Sequence, residues 1–283
     1  MKKRTLTLQQ IYREGTLALA GAGIEEAALD AWHLLEYVTG ISKASYYGNP
    51  DKEMDEEEAS RYLACIETRK KRIPLQHITK EQVFMGYPFY VNEHVLIPRQ
   101  DTETLAEEAL KVLKPGMQVL DMCTGSGCIL ISLLKIRGEI QGTGSDISGE
   151  ALEVARKNAR RLDVNATFIR SSLFEGISGR YDLIVSNPPY IRTSIIQELQ
   201  DEVRLHDPFI ALDGKEDGLY FYREIIKTGT SYIRPGGYLM LEIGYDQGND
   251  VASLMEKQGY RNIKVKKDLA GLDRVVTGMY NGK

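Results

Sequence analysis

From Met117 onward, apolar runs alternate with amphipathic stretches. The runs at 118–122, 142–145, 166–169, 183–186 and 238–243 predict strands. The stretches at 129–135, 149–161, 220–228 and 248–258 predict helices between them. Such alternation implies a doubly wound parallel sheet. Two further runs, 262–265 and 275–280, have no helix between them and predict an antiparallel pair at one edge of the sheet. Before Met117 the pattern differs. Leu8, Ile11 and Leu17, then Trp32, Leu35 and Val38, recur at helical spacing. A third helix opens with Asp55-Glu56-Glu57-Glu58 and closes with Lys70-Lys71-Arg72, matching the helix dipole at both ends. Val83-Phe84-Met85 and Phe89-Tyr90-Val91 flank Gly86-Tyr87-Pro88 and predict a hairpin. Asp101 is the expected N-cap of a helix running to about Leu113. The expected division is a helical domain over 1–80, a hairpin linker over 81–100 and an α/β domain over 101–283.

Composition narrows the function classes. The 283 residues carry 36 basic and 40 acidic side chains, a net charge of −4. A broad basic face is not expected, which argues against a dedicated nucleic-acid binder. Lys2-Lys3-Arg4 is not followed by an apolar segment, so a signal peptide is not expected. No apolar stretch approaches transmembrane length, and no membrane partner is expected. Cys65, Cys123 and Cys128 show no zinc spacing, and their odd number speaks against a disulfide framework. A reducing cytoplasm is the expected compartment. His33, His77, His94 and His206 show no metal spacing, so no metal site is expected.

Candidate chemistry lies at the carboxyl ends of the predicted strands. Asn187-Pro188-Pro189-Tyr190 follows the run Leu183-Ile184-Val185-Ser186. Two prolines stiffen the backbone, and Pro188 pushes Asn187 toward extended geometry. The Asn187 side-chain oxygen and nearby carbonyls then become fixed acceptors beside a phenol ring. Such a corner suits a planar –NH2 group. A plain turn is the bland alternative. Cys123-Thr124-Gly125-Ser126-Gly127 follows the first strand, and its glycines allow close approach of a ligand to the backbone. Asp146 ends the second strand, where an acid can accept from ribose hydroxyls or simply cap the next helix. Open α/β sheets bind ligands beyond the carboxyl ends of their strands, which places all three in one crevice. No Gly-x-x-x-x-Gly-Lys loop is present, so the turn fits a nucleoside better than a triphosphate.

Asp121-x-x-Thr124-Gly125-Ser126-Gly127, Asp146 and Asn187-Pro188-Pro189-Tyr190, in this order, resemble the class I S-adenosylmethionine-dependent methyltransferases. Ile97-Pro98-Arg99-Gln100-Asp101-Thr102-Glu103, the helical N-terminal region and Asp268-x-x-Gly271-x-Asp273-Arg274-Val275 narrow the resemblance. Together they resemble the release factor glutamine methyltransferases, the HemK/PrmC family. The resemblance implies a Rossmann-like sheet with an antiparallel edge strand, and methylation of the glutamine amide nitrogen in a Gly-Gly-Gln motif of release factors. It implies that Cys123 to Gly127 line the methionine part of S-adenosylmethionine and that Asp146 holds the ribose. It further implies that Ser172 and Leu173, within Ser171-Ser172-Leu173-Phe174, border the adenine. Asn187 and the Pro188 carbonyl would bind the substrate amide, with Pro189 and Tyr190 packing beside it. Many relatives carry an acid where this chain has Ser172, which bonds without charge assistance. Arg99 is left without a role, a structural link between domains being one reading. A methyltransferase acting on an exocyclic base amine shares the fold and the corner. A nicotinamide-dependent oxidoreductase shares the turn and Asp146 but leaves Asn187 to Tyr190 unexplained. A non-catalytic cofactor-binding protein is the remaining alternative.

Overall fold

A computed structural model of the chain describes residues 6–282, so the basic Lys2-Lys3-Arg4 start lies outside the described residues. Contacts divide the chain into two compact units, the first ending at Lys80 and the second starting at Glu81.

The first unit is helical: α1 (Leu8–Gly21), α2 (Ala27–Thr39), α3 (Lys43–Gly48), α4 (Glu56–Lys70) and α5 (Leu75–Thr79). The charge-flanked helix of the sequence is α4. Asp55 caps it, accepting from the Glu57 and Glu58 N–H groups at 2.9 and 3.3 Å. The buried stripe of α1 is Leu8, Ile11, Gly15 and Leu19. Leu17, expected on that stripe, is 62% exposed. It stands six residues after Ile11, which at 100° per residue turns it to the far side of the helix. Gly15 leaves room for the Tyr62 ring, since a Cβ there would stand 2.8 Å from Tyr62 Cζ. Tyr62 is fully buried and its hydroxyl has no hydrogen-bond partner among the described residues. Asp30 and Arg69, both buried, join α2 to α4 through a 2.7 Å ion pair.

The second unit begins with a hairpin, β1 (Glu81–Phe84) and β2 (Tyr87–Tyr90). Its turn is shorter than the sequence suggested. Met85 and Gly86 alone make it, both with positive φ (51° and 79°), as a tight two-residue hairpin turn requires. Tyr87 and Pro88 belong to the strand, paired with Phe84 and Val83. Phe84 and Phe89 bury into the same core as the sheet, so this segment is an integral part of the second unit. Asn158 fastens it, accepting from the Tyr90 N–H at 2.7 Å and donating to the Tyr90 carbonyl at 3.0 Å.

The α/β body follows as α6 (Glu103–Val112), β3 (Gln118–Met122), α7 (Cys128–Ile136), β4 (Gln141–Asp146), α8 (Gly149–Arg161), β5 (Thr167–Arg170) and β6 (Tyr181–Ser186). After two short helices, α9 (Asp201–His206) and α10 (Phe209–Leu212), come α11 (Tyr220–Gly229), β7 (Ile233–Glu242), α12 (Gly248–Lys257), β8 (Arg261–Lys267) and β9 (Asp273–Tyr280). Seven strands form one sheet in the order β5-β4-β3-β6-β7-β9-β8. The first five are parallel, and β9 pairs antiparallel with both β7 and β8. The edge strand β8 carries Lys264, Lys266 and Lys267, charges that discourage pairing with another chain.

Apolar runs become central strands because both faces of the sheet are covered. Val119, Leu183, Val185 and Met240 face one core with α6 and α7. Leu120, Ile184, Leu239 and Leu241 face the other, with α11 and α12. Strands buried on both sides lose the polar alternation of half-exposed ones. Strand order reverses between β3 and β6, and the crevice beyond their carboxyl ends is where such sheets bind ligands.

One expectation fails at the start of α6. Gln100–Thr102 forms a 3-10 turn, and the helix begins at Glu103 without a side-chain cap. The Asp101 carboxylate turns instead to the Arg274 guanidinium at 3.3 Å.

Tyr62→Phe removes a buried hydroxyl with nothing to bond and is expected to stabilise the first unit by about 1 kcal/mol. Gly15→Ala is expected to destabilise it by about 1–3 kcal/mol through overlap with the Tyr62 ring. Urea unfolding followed by fluorescence of Trp32, the chain's single tryptophan, reads both. A loss of stability in Tyr62→Phe would show that the hydroxyl is bonded after all.

Candidate functional site

Four loops meet beyond the carboxyl ends of the parallel strands and enclose a pocket of about 1070 Å³, its open mouth included. Cys123 to Ser126 follow β3, and Asp146 to Ser148 close β4. Ser171 to Leu173 follow β5, and Asn187 with Pro189 follow β6. The segment from His94 to Arg99 and the 208–211 segment add walls. Thr124, Gly125, Ser126, Asp146, Ser172, Leu173 and Asn187, all singled out from sequence, share this one cavity. Gly127, Pro188 and Tyr190 are not among its lining residues. Gly127 has φ +80°, and a Cβ there would sit 2.8 Å from Ile131 and 3.2 Å from the Ala155 methyl. Its place is close packing of α7 against α8.

The turn after β3 is braced from below. Asp121 is fully buried and accepts from the Thr124 hydroxyl at 2.6 Å. Burial pushes its carboxyl up to about 7. Cys128 is buried and Cys123 half-buried at the pocket wall, and burial drives both thiols up, Cys128 to about 12. Neither is a ready thiolate at neutral pH.

Asp146 holds the turn from the side. One carboxylate oxygen accepts from the Gly125 N–H at 2.9 Å, the other from the Ser148 N–H at 3.0 Å. Burial raises its pKa, and these N–H groups partly offset the rise. The cap of α8 is Ser148, whose hydroxyl accepts from the Ala151 N–H at 3.0 Å, so Asp146 is not the helix cap. Each carboxylate oxygen has further acceptor capacity. The Ser145 hydroxyl, buried at the pocket, has no partner among the described residues. Gly125 has φ +53° and open space where a Cβ would stand. Ile147 and Leu173 add apolar surface. Unspent polar capacity, an open glycine and apolar walls together fit an adenosyl group.

The corner after β6 is fixed by residues far from it in sequence. Gln247 donates to the Tyr190 carbonyl at 3.1 Å and the Gly218 carbonyl at 3.2 Å, and accepts from the Gly244 N–H at 2.9 Å. The Gly214 and Gly218 backbones press against Tyr190, and a Cβ on Gly214 would stand 2.7 Å from its Cα. On the inner side, the Asn187 amide donates to the Thr102 hydroxyl at 3.4 Å. Glu242, at the end of β7 and 2% exposed, lies against both groups. Burial pushes Glu242 up to about 7, and hydrogen bonding with Thr102 and Asn187 partly offsets it. Tyr190 is also driven upward by burial and stays a neutral phenol.

Arg99 finds its place here. It lines the pocket and ion-pairs with the buried Asp207 at 2.6 Å. Both residues belong to the second unit, so the pair ties the 97–99 segment to the Pro208 wall and is not a link between domains. Sequence reading missed Glu242, Gln247, Gly214 and Gly218 and gave Thr102 no role. One signal was available: an acid at the end of the apolar run Leu239-Met240-Leu241 marks a buried charge facing the crevice.

Comparison with known proteins bears on this site. Residues 10–79 match the family described as the PrmC N-terminal domain, and residues 100–211 match the methyltransferase small domain. A Geobacter sulfurreducens protein named release factor glutamine methyltransferase is 42% identical over 261 residues, 92% of each chain. The Caulobacter vibrioides protein of the same name is 39% identical over 98% of each. Among solved structures, a methyltransferase from Pyrococcus furiosus aligns with a TM-score of 0.54 at 18% identity, covering 79% of this chain and all of that one. A Thermus thermophilus 16S rRNA N2 G1207 methyltransferase, in complex with AdoMet and guanosine, aligns with a TM-score of 0.52 at 18% identity. It covers 71% of this chain and 49% of its own. At that identity the two structures speak for the fold alone.

Proposed function

We propose that this chain, which belongs to the release factor glutamine methyltransferases, transfers a methyl group from S-adenosylmethionine to the side-chain amide nitrogen of the glutamine in the Gly-Gly-Gln motif of peptide chain release factors. The observation that carries the reading is Asn187, which opens onto the same pocket as the Gly125 turn and Asp146. Two relatives at about 40% identity, matching over nearly their full length, bear the activity in their names.

Bound S-adenosylmethionine supplies a methyl group on an electrophilic sulfonium. Asp146 accepts from the ribose hydroxyls with the lone pairs that Gly125 and Ser148 leave free. The Ser145 hydroxyl offers a further bond, and Ile147 and Leu173 cover the flat base. Ser172 replaces the acid of many relatives with a neutral acceptor beside the adenine amino group. Asn187 Oδ1 accepts one hydrogen of the substrate amide, and the family resemblance assigns the other to the carbonyl of the adjoining Pro188. A glutamine nitrogen is a poor nucleophile because its lone pair is delocalised into its carbonyl. Holding both hydrogens turns the nitrogen toward the methyl carbon, and such orientation contributes about 7–11 kcal/mol in favourable cases. The same acceptors stabilise the positive charge that grows on nitrogen during attack. The proton leaves after transfer, so no strong general base is required. The helical first unit carries recognition of the protein substrate. Among the described residues no helix is long and apolar enough to cross a membrane, and the cytoplasm, where release factors act, is the compartment this reading assigns.

Purified release factor, its Gly-Gly-Gln→Gly-Gly-Ala variant, total RNA and DNA are incubated with labelled S-adenosylmethionine. Label on the wild-type factor alone is expected. Label on nucleic acid instead would move the activity to an exocyclic base amine. Asn187→Ala is expected to lower kcat by about a hundredfold or more with cofactor binding retained. Equal loss of both would take Asn187 out of the amide site. Asp146→Ala is expected to raise the S-adenosylmethionine dissociation constant about tenfold or more, because bonds to a carboxylate are charge-assisted. An unchanged constant removes Asp146 from the ribose site. A chain lacking residues 1–80 is expected to bind the cofactor but to show a raised KM for the intact factor. An unchanged KM would contradict a recognition role for the helical unit.

A further inference from the structure

We infer that Glu242 is a positioning residue for methyl transfer: acting on the Asn187 amide directly and through Thr102, it sets which end of that amide faces the substrate. The inference rests on the proposed function and deepens it.

A side-chain amide can stand in either of two orientations, which exchange its oxygen and its –NH2. They are opposite in effect here. With the oxygen toward the pocket, Asn187 accepts from an incoming –NH2 group. With the nitrogen toward the pocket, it confronts that group with donors. The side facing away from the substrate therefore decides. There the Asn187 nitrogen donates to Thr102 Oγ1 at 3.4 Å, and among the described residues Oδ1 takes no hydrogen bond. Thr102 has one hydroxyl hydrogen. Because its lone pair receives the Asn187 N–H, that hydrogen is free to point at the Glu242 carboxylate, the buried acceptor it lies against. The order of donation is thus fixed from the inside outward. The carboxylate accepts from Thr102 and from the Asn187 nitrogen, Thr102 accepts from Asn187, and the Asn187 oxygen is left to the pocket. A reversed amide would set its oxygen against the hydroxyl lone pairs and the carboxylate.

Glu242 itself is poised. Its Oε2 has no hydrogen-bond partner among the described residues. The charged groups around it are Arg274, which favours the carboxylate, and Asp101, which disfavours it. Tyr190, Tyr222 and Cys128 are its other titratable neighbours, and burial keeps all three protonated at neutral pH. Burial holds the Glu242 carboxyl near pH 7, so it takes up a proton within the working range. Once protonated, it becomes a donor, Thr102 no longer has to point inward, and the reversed Asn187 orientation becomes accessible. Since the carboxylate is the active form, activity falls as pH drops below about 7.

The test uses the full chain, intact release factor and saturating S-adenosylmethionine. Rates are measured across the pH range, with cofactor affinity followed by calorimetry. Wild type is expected to lose kcat about tenfold per pH unit on the acid side, as one protonation requires. Glu242→Gln is expected to lack that limb and to run about tenfold or more below wild type at the alkaline plateau. Its cofactor dissociation constant should stay within about twofold of wild type. Thr102→Val should lower kcat about fivefold or more, and Thr102→Ser should restore most of it, which a packing role alone would not produce. An acid limb that persists in Glu242→Gln, or full activity in Thr102→Val, would overturn the inference and leave the proposed function standing. A wild-type enzyme that binds the cofactor but leaves the factor unlabelled at every pH would overturn both.

Discussion

Pro188 and Pro189 have no N–H, so the chain leaving β6 cannot be held in place by its own ladder bonds. Buried Gln247 takes over that task. Its amide bridges the carbonyls of Tyr190 and Gly218 and the N–H of Gly244, joining the corner to two other loops. Tyr222 reinforces the joint from α11, donating to the Glu242 carbonyl at 2.9 Å. Gly214 and Gly218 are required because the loop lies directly on the Tyr190 backbone. The position of Asn187, and with it the proposed substrate end of the pocket, depends on this clamp. A reaction whose barrier is lowered mainly by orientation needs such stiffness, since small misplacements of the reacting groups cost rate steeply.

The two ends of the pocket are built on different principles. At the proposed cofactor end, the Asp121 and Asp146 carboxylates brace the turn after β3, and Gly125 leaves the backbone open. At the proposed substrate end, side-chain amides and their partners hold the corner. The Asn187 amide donates to Thr102 beside Glu242, and the Gln247 amide donates to the Tyr190 backbone carbonyl. Both ends are anchored to strands that are covered on two faces. The sheet therefore transmits little slack to either end.

The α/β body was legible in the sequence because doubly covered strands appear as unbroken apolar runs, and the helices between them keep their stripes. The crevice was legible because its glycines, Asp146 and Asn187 all stand at strand ends. What escaped was long-range pairing. Thr102 meets Asn187 across 85 positions, and Gln247 meets Tyr190 across 57. Periodicity carries no information about such contacts. Asp101 misled for the same reason, since its distant partner Arg274 outcompeted the local helix end. Leu17 misled because it is apolar, although its place six residues after Ile11 turns it off the stripe that Leu8 and Ile11 begin. Glycine was ambiguous too: Gly125 leaves room at the pocket, whereas Gly127 leaves room for α8.

The proposed reaction depends above all on where the substrate amide sits. The most direct measurement is a crystal structure of the chain with S-adenosylhomocysteine and a peptide containing Gly-Gly-Gln. The glutamine nitrogen is expected within about 2.7–3.2 Å of both Asn187 Oδ1 and the Pro188 carbonyl oxygen. Its lone-pair side should face the position of the transferred methyl. A glutamine amide bound elsewhere, or Asn187 presenting its nitrogen to it, would contradict the account.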